Sequence, residues 1–104
     1  MTDSNDAVVS DNQAESRLEV NAEGELAELI YRKNGNRLVL VHTEVPKALG
    51  GHGIGGKLVL AAIDKAVTSG MTVVPLCPYA RAWLERHPDE AARASIDWAA
   101  AGRR

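Results

Sequence analysis

Five glycines fall within seven positions, Gly50, Gly51, Gly53, Gly55 and Gly56, between an apolar run of strand character and a segment of helical period. Glycines at that density let the backbone turn with positive φ and bring bare amides close to a ligand. A helix opening directly afterwards points its free N–H groups, and the positive end of its dipole, at the same place. The chain must therefore build a strand, a phosphate-binding turn and a helix in that order. A loop shaped by tight packing alone is the competing reading, although loops of this kind usually carry function.

Three nucleotide frames overlap here. Gly51 to Lys57 spells G-x-x-x-x-G-K, but Leu58 stands where a triphosphate loop needs a hydroxyl for magnesium. Gly51, Gly53 and Gly56 spell G-x-G-x-x-G, which requires a following strand that ends in an acid for the ribose. The next strand-like run, Thr72 to Leu76, leads instead into Cys77-Pro78. The third frame, x-x-x-G-x-G over Gly50 to Gly55, is the pyrophosphate loop of acyl-coenzyme A enzymes, and it needs neither group.

Composition excludes several alternatives. The 104 residues allow one domain with a modest core. Residues 1–16 carry a charge of −4 with no Lys or Arg, and they lack apolar periodicity, so they are expected to form a disordered acidic tail. Residues 17–104, the expected single domain, then carry +2, which suits a small anionic ligand and is too little for nucleic acid. Four aromatic residues with no basic stripe give no stacking platform for single strands. No apolar run reaches membrane-span length, and the polar N-terminus does not read as a signal peptide, so no membrane partner is expected. The single cysteine excludes an internal disulfide, three scattered histidines make no metal pattern, and a reduced, cytoplasmic setting is the default. The expected state is a monomer or weak dimer.

Strand and helix periods alternate beyond the tail. Leu18 and Val20 mark a strand, Asn21 to Gly24 a turn, and Glu25 to Arg32 a second strand with Ala27, Leu29 and Tyr31 on one face. Asn34-Gly35 is a hairpin signal leading to a third strand, Arg37 to Glu44, apolar on both faces and hence central. After the glycines, Val59, Ala62, Ile63, Ala66 and Val67 make a helical stripe that stops at Ser69-Gly70. Thr72 to Leu76 is a strand placed parallel beside the third by a right-handed crossover. A second helix over Tyr79 to Arg86 ends at His87, before Pro88, and an alanine-rich helix is expected over Asp89 to Ala101, with Ile96 or Trp98 inward. The class is α+β: a mostly antiparallel sheet, a three-strand meander followed by helix, strand and helix.

Four strings in this order, His42-Thr-Glu-Val-Pro46, Gly50-Gly-His-Gly-Ile-Gly55, Val73-Val-Pro-Leu-Cys-Pro78 and His87-Pro88, resemble the short single-domain members of the GNAT acetyltransferase superfamily. The resemblance covers about residues 18–89. It implies a minimal GNAT fold that binds acetyl-coenzyme A, with pantetheine against the strand end at Glu44-Val45. The pyrophosphate would sit on the loop Gly50, Gly51, His52, Gly53, Ile54, Gly55, Gly56 and Lys57. Two departures stand out: Gly50 occupies the place of the family's usual Arg or Gln, and Leu84 that of the tyrosine that protonates the departing thiolate. The implied activity is N-acetyl transfer to an unidentified amine, on a small molecule, peptide or protein; the alternative is a coenzyme A-binding module with little catalysis.

Acyl transfer to an amine needs a base for the amine and an acid for the thiolate. Cys77, between a strand and a helix, has a thiol to protonate the leaving group or to take the acyl group briefly; its other reading is a small buried hydrophobe. His42 and Glu44, two apart on one strand, share a face and offer a carboxylate base. Their alternative reading is local hydrogen bonding.

Overall fold

The computed structural model describes residues 8–51 and 53–101. Within them, six strands form one sheet in chain order: β1 (Ser10–Asn12), β2 (Arg17–Ala22), β3 (Glu25–Asn34), β4 (Arg37–Glu44), β5 (Thr72–Pro75) and β6 (Ser95–Ile96). The pairs from β1 to β4 are antiparallel, and β5 and β6 add in parallel beyond β4. Parallel neighbours require crossovers. Helix α1 (Ile54–Ser69) supplies the first; α2 (Pro78–Arg86) and the single turn α3 (Pro88–Ala91) supply the second. Both run the same way across the sheet, so right-handed connections put α1 and α2 on one face, where they pack against each other. A last helical turn, α4 (Trp98–Ala101), follows β6.

The core lies between that face and the helices. Val20, Leu29, Tyr31 and Leu40 from alternate strand positions meet Leu58 and Ile63 from α1, all buried. Val67 departs from the expected stripe: it is 49% exposed, because the last turn of α1 has rotated its side of the helix off the sheet. Gly70, left-handed at φ 67°, ends the helix by giving its N–H to the Ala66 and Val67 carbonyls.

Two expectations are corrected. The acidic tail does not run through residue 16, because Ser10–Asn12 is a strand paired with β2; residues 1–7 lie outside the described residues. Three polar residues carry no period that marks a strand, and their docking rests on tertiary bonds. Asp11 accepts hydrogen bonds of 2.6 Å from both the Tyr31 hydroxyl and the Lys65 ammonium, tying the first strand to α1. The segment Asp89 to Ala101 is not one helix. Ser95–Ile96 pairs with Thr72–Val73, and the Asp97 N–H continues the pairing to the Val73 carbonyl at 2.9 Å. An open sheet edge and the ion pairs Arg93–Asp64 and Arg37–Asp97 outweigh the helical propensity of the alanines. Ile96 packs against the core, whereas the Trp98 ring lies 5.7 Å from the Arg81 guanidinium.

The Asp11 tie predicts a pH dependence. Burial pushes the Asp11 carboxyl up, but the hydrogen bonds from Lys65 and Tyr31 outweigh it and hold the group below its ordinary value of 3.8. A depressed carboxyl contributes stability that is present above its unfolded pKa and lost as pH falls through the folded one. Asp11→Ala should therefore cost about 1–2 kcal/mol at pH 7. Urea unfolding of parent and variant should show that gap closing below pH 4, on the acid side of the ordinary carboxylate pKa.

Candidate functional site

The glycine run holds a turn, two left-handed glycines and a helix start. Pro46 leads into one 3-10 turn, Lys47–Leu49, anchored in the core by the fully buried Leu49. Gly51 and Gly53 then adopt left-handed φ of 81° and 73°, which other residues rarely take. Gly53 is the N-cap of α1, and no side chain caps that end. The first helical bond runs from the Lys57 N–H to the Gly53 carbonyl at 3.1 Å, so the amides of Ile54, Gly55 and Gly56 have no intrahelical acceptor. These donors, with no acidic residue in the first turn, make a cradle with the chemistry to receive an anion. The helix thus begins earlier than the glycine run suggests: Ile54 to Lys57 are its first turn, and the Ile54 side chain, 1% exposed, belongs to the core. Gly50 and Gly51 are exposed at the rim, and Val45 packs on the core edge. His52 lies outside the described residues.

A second element closes on this turn. An added Cβ at Gly55 would meet the Tyr79 hydroxyl oxygen at 2.2 Å, and one at Gly56 would meet the Trp83 indole nitrogen at 2.7 Å. Tyr79 and Trp83 stand four apart on α2, so one face of that helix lies across the first turn of α1. Trp83 in turn stacks on His87 at 3.8 Å, and the His87 Nδ1 donates to the Trp83 carbonyl at 2.7 Å. His87 therefore ends α2, as expected.

The candidate acid and base residues His42, Glu44 and Cys77 lie where β4 and β5 part. Ile30 pairs with His42 and Tyr31 with Leu40, leaving Val41 as an extra residue, a β-bulge. Before the bulge, Leu38 and Leu40 face the helices. After it, Thr43 does, and His42 and Glu44 turn to the opposite face. The β4–β5 ladder ends at Leu40–Pro75, closed by the Cys77 N–H on the Leu40 carbonyl at 2.9 Å. Past that point Val41 to Glu44 have no ladder partner on the β5 side, so the two strands form a fork.

Cys77 sits at the base of the fork as the N-cap of α2, 2% exposed, with its Sγ 3.3 Å from the Thr43 hydroxyl. On the other face of β4, the exposed His42 Nε2 and Glu44 Oε1 are 3.1 Å apart. That outer face carries Arg17, paired with Glu19 and, at 3.2 Å, with Glu28, and His42 and Glu44 are both exposed on it. The structure thus brings His42 and Glu44 together and sets Cys77 across the strand from them. Leu84, at 1% exposure, is committed to the core and has no acidic proton to give. Among the described residues no group of three metal-ligating side chains occurs, and no helix is long and apolar enough to cross a membrane.

Sequence reasoning missed Thr43, Tyr79 and Trp83. Adjacent glycines in the first turn of a helix, matched by aromatics four apart on the next helix, were the available signal for the last two.

The model of the GCN5-related N-acetyl-transferase family (Acetyltransf_CG) matches residues 16–93. The fold is similar to the solution structure of a GCN5-like protein from Staphylococcus aureus, with a TM-score of 0.67 and 23% identity. That likeness spans 92% of this chain and 96% of the other.

Proposed function

Because the chain belongs to the GCN5-related N-acetyltransferase family, we propose that it is an acetyl-coenzyme A-dependent N-acetyltransferase whose acceptor is an amine approaching from the face on which His42 and Glu44 are exposed. The observation that carries this reading is the uncapped amide cradle of Ile54, Gly55 and Gly56, opening next to the β4–β5 fork. The cradle fits the diphosphate of coenzyme A: its donors are backbone amides, no side chain competes for them, and no metal-binding hydroxyl is present. When bound, acetyl-coenzyme A supplies an activated acetyl group as a thioester.

The chain's own residues divide the remaining work by face. The unpaired edge of Val41 to Glu44 offers N–H and C=O groups to an extended, amide-bearing arm, in the manner of strand addition. Glu44, oriented by His42, takes the proton from the amine at Oε1, directly or through water. Cys77 holds a proton on Sγ at the base of the fork, oriented by the Thr43 hydroxyl, where a departing thiolate requires one. The same thiol is also placed for brief covalent capture of the acyl group.

Two features favour a second reading, a coenzyme A-binding module with little turnover. Leu84 replaces the family's usual acid, and among the described residues His42 and Glu44 are left exposed on the acceptor side. Calorimetric titration with coenzyme A, followed by turnover of acetyl-coenzyme A with a panel of amines, separates the two. Micromolar binding with turnover on at least one amine class is the expected result. Binding without turnover on any amine supports the second reading, and absence of binding overturns both.

A further inference from the structure

Gly55 has helical backbone geometry, not the left-handed conformation that reserves a position for glycine, and a glycine inside a helix is unfavourable relative to alanine. What demands its missing side chain is Tyr79: an added Cβ would lie 2.2 Å from the hydroxyl oxygen and 2.7 Å from the carbon that bears it. In a helix the Cα–Cβ bond tilts toward the N-terminus. An atom at the Cβ position of Gly55 therefore lies on the N-terminal side, beside the free amides of the cradle. The Tyr79 hydroxyl occupies that place. It is bonded to no described residue, and the side chain is 41% exposed. The chain's other described tyrosine, Tyr31, is buried with its hydroxyl satisfied by Asp11.

A second observation points the same way. Trp83 is 8% exposed, and its indole nitrogen lies 2.7 Å from the place of a Cβ on Gly56, the next residue of the same turn. Two donors from α2 thus converge on a turn that already presents three unused amides.

We propose that Tyr79 is a ligand-contacting residue of the cradle: its hydroxyl donates to the diphosphate of coenzyme A, and Gly55 is glycine in order to admit it. This rests on the coenzyme A reading given above. α2 would then serve both ends of the pantetheine arm, with Cys77 at its N-cap by the fork and Tyr79 in its first turn by the diphosphate.

The test is coenzyme A binding by Tyr79→Phe, which keeps the ring and removes the donor. Calorimetry should show affinity about 10-fold weaker, the effect of one hydrogen bond to a charged group, with an unchanged melting temperature. Phosphorus NMR of bound coenzyme A should show the diphosphate resonances moving in the variant while the 3′-phosphate resonance stays. Gly55→Ala, which displaces the ring, should weaken binding as well, and adding Tyr79→Phe to it should cost little more. Parent-like affinity in Tyr79→Phe overturns the proposal alone, as does weaker binding with unmoved diphosphate resonances. Failure of the parent itself to bind coenzyme A overturns the cofactor reading, and this proposal with it.

Discussion

Gly53→Val is expected to leave a folded protein that has lost at least about 100-fold in coenzyme A affinity, the effect of two charge-assisted hydrogen bonds. Gly53 holds φ at 73° as the N-cap of α1, and nothing lies within 4 Å of the place a Cβ would take. The loss would therefore come from the backbone rather than from a collision. A β-branched residue is strained in the left-handed region and relaxes by rotating the peptides on either side, which redirects the amides of the cradle. Gly24→Val is the matched control. Gly24 has φ 77° and equally open surroundings, but it lies in the β2–β3 turn. Both variants should lose similar stability by urea unfolding, and only Gly53→Val should lose affinity by calorimetry. Equal affinities would remove the cradle from coenzyme A binding.

Cys77→Ala should lower turnover by about 100-fold, the usual size of a general-acid contribution, while coenzyme A affinity stays near the parent's. The thiol lies at the base of the fork, 2% exposed and 3.3 Å from Thr43, so truncation also removes packing, at a cost of about 1 kcal/mol. Steady-state rate and melting temperature report the two contributions separately. A variant that melts lower yet turns over at the parent rate makes Cys77 a packing residue. Thr43→Val adds a finer distinction: it keeps the volume and removes the hydroxyl, so a rate loss smaller than that of Cys77→Ala would assign Thr43 to orienting the thiol.

Where burial imposed a period, the fold was legible in the sequence. Leu29 and Tyr31 alternate because one face of β3 meets α1, and Ala62, Ile63 and Ala66 repeat because one stripe of α1 meets the sheet. Asn34-Gly35 located the β3–β4 hairpin to within one residue: Asn34 pairs with Arg37, and the loop is Gly35-Asn36, with Gly35 at a positive φ of 62°. The ends of the chain were not legible, because β1 and β6 are edge strands of three and two residues held by particular partners. Asp11 reaches Lys65 across 54 positions, and Arg37 reaches Asp97 across 60; neither pairing leaves a local pattern.

The candidate site divides in the same way. The cradle could be read from its glycines, since left-handed turns select them. That His42 and Glu44 would share a face followed from strand geometry. Which face they would take relative to Cys77 did not follow, because the bulge at Val41 resets the alternation and a single extra residue is invisible in an apolar run. Tyr79 and Trp83 went unnoticed because ordinary helical aromatics gain meaning only once Gly55 and Gly56 are known to face them.

The fork also carries a hazard apart from its part in the proposed reaction. β4 has a neighbour on each side for half its length, yet past Leu40 it becomes an open margin in the middle of a sheet, with bare peptide groups facing a gap. Such a margin invites a strand from another chain, and proteins discourage that with charge, twist and proline. All three are found here: Glu44 with His42, the bulge at Val41, and Pro46 just beyond the strand. The polar pair proposed for proton transfer is also the charge on that margin, so its replacement by apolar residues would put solubility at risk as well as rate.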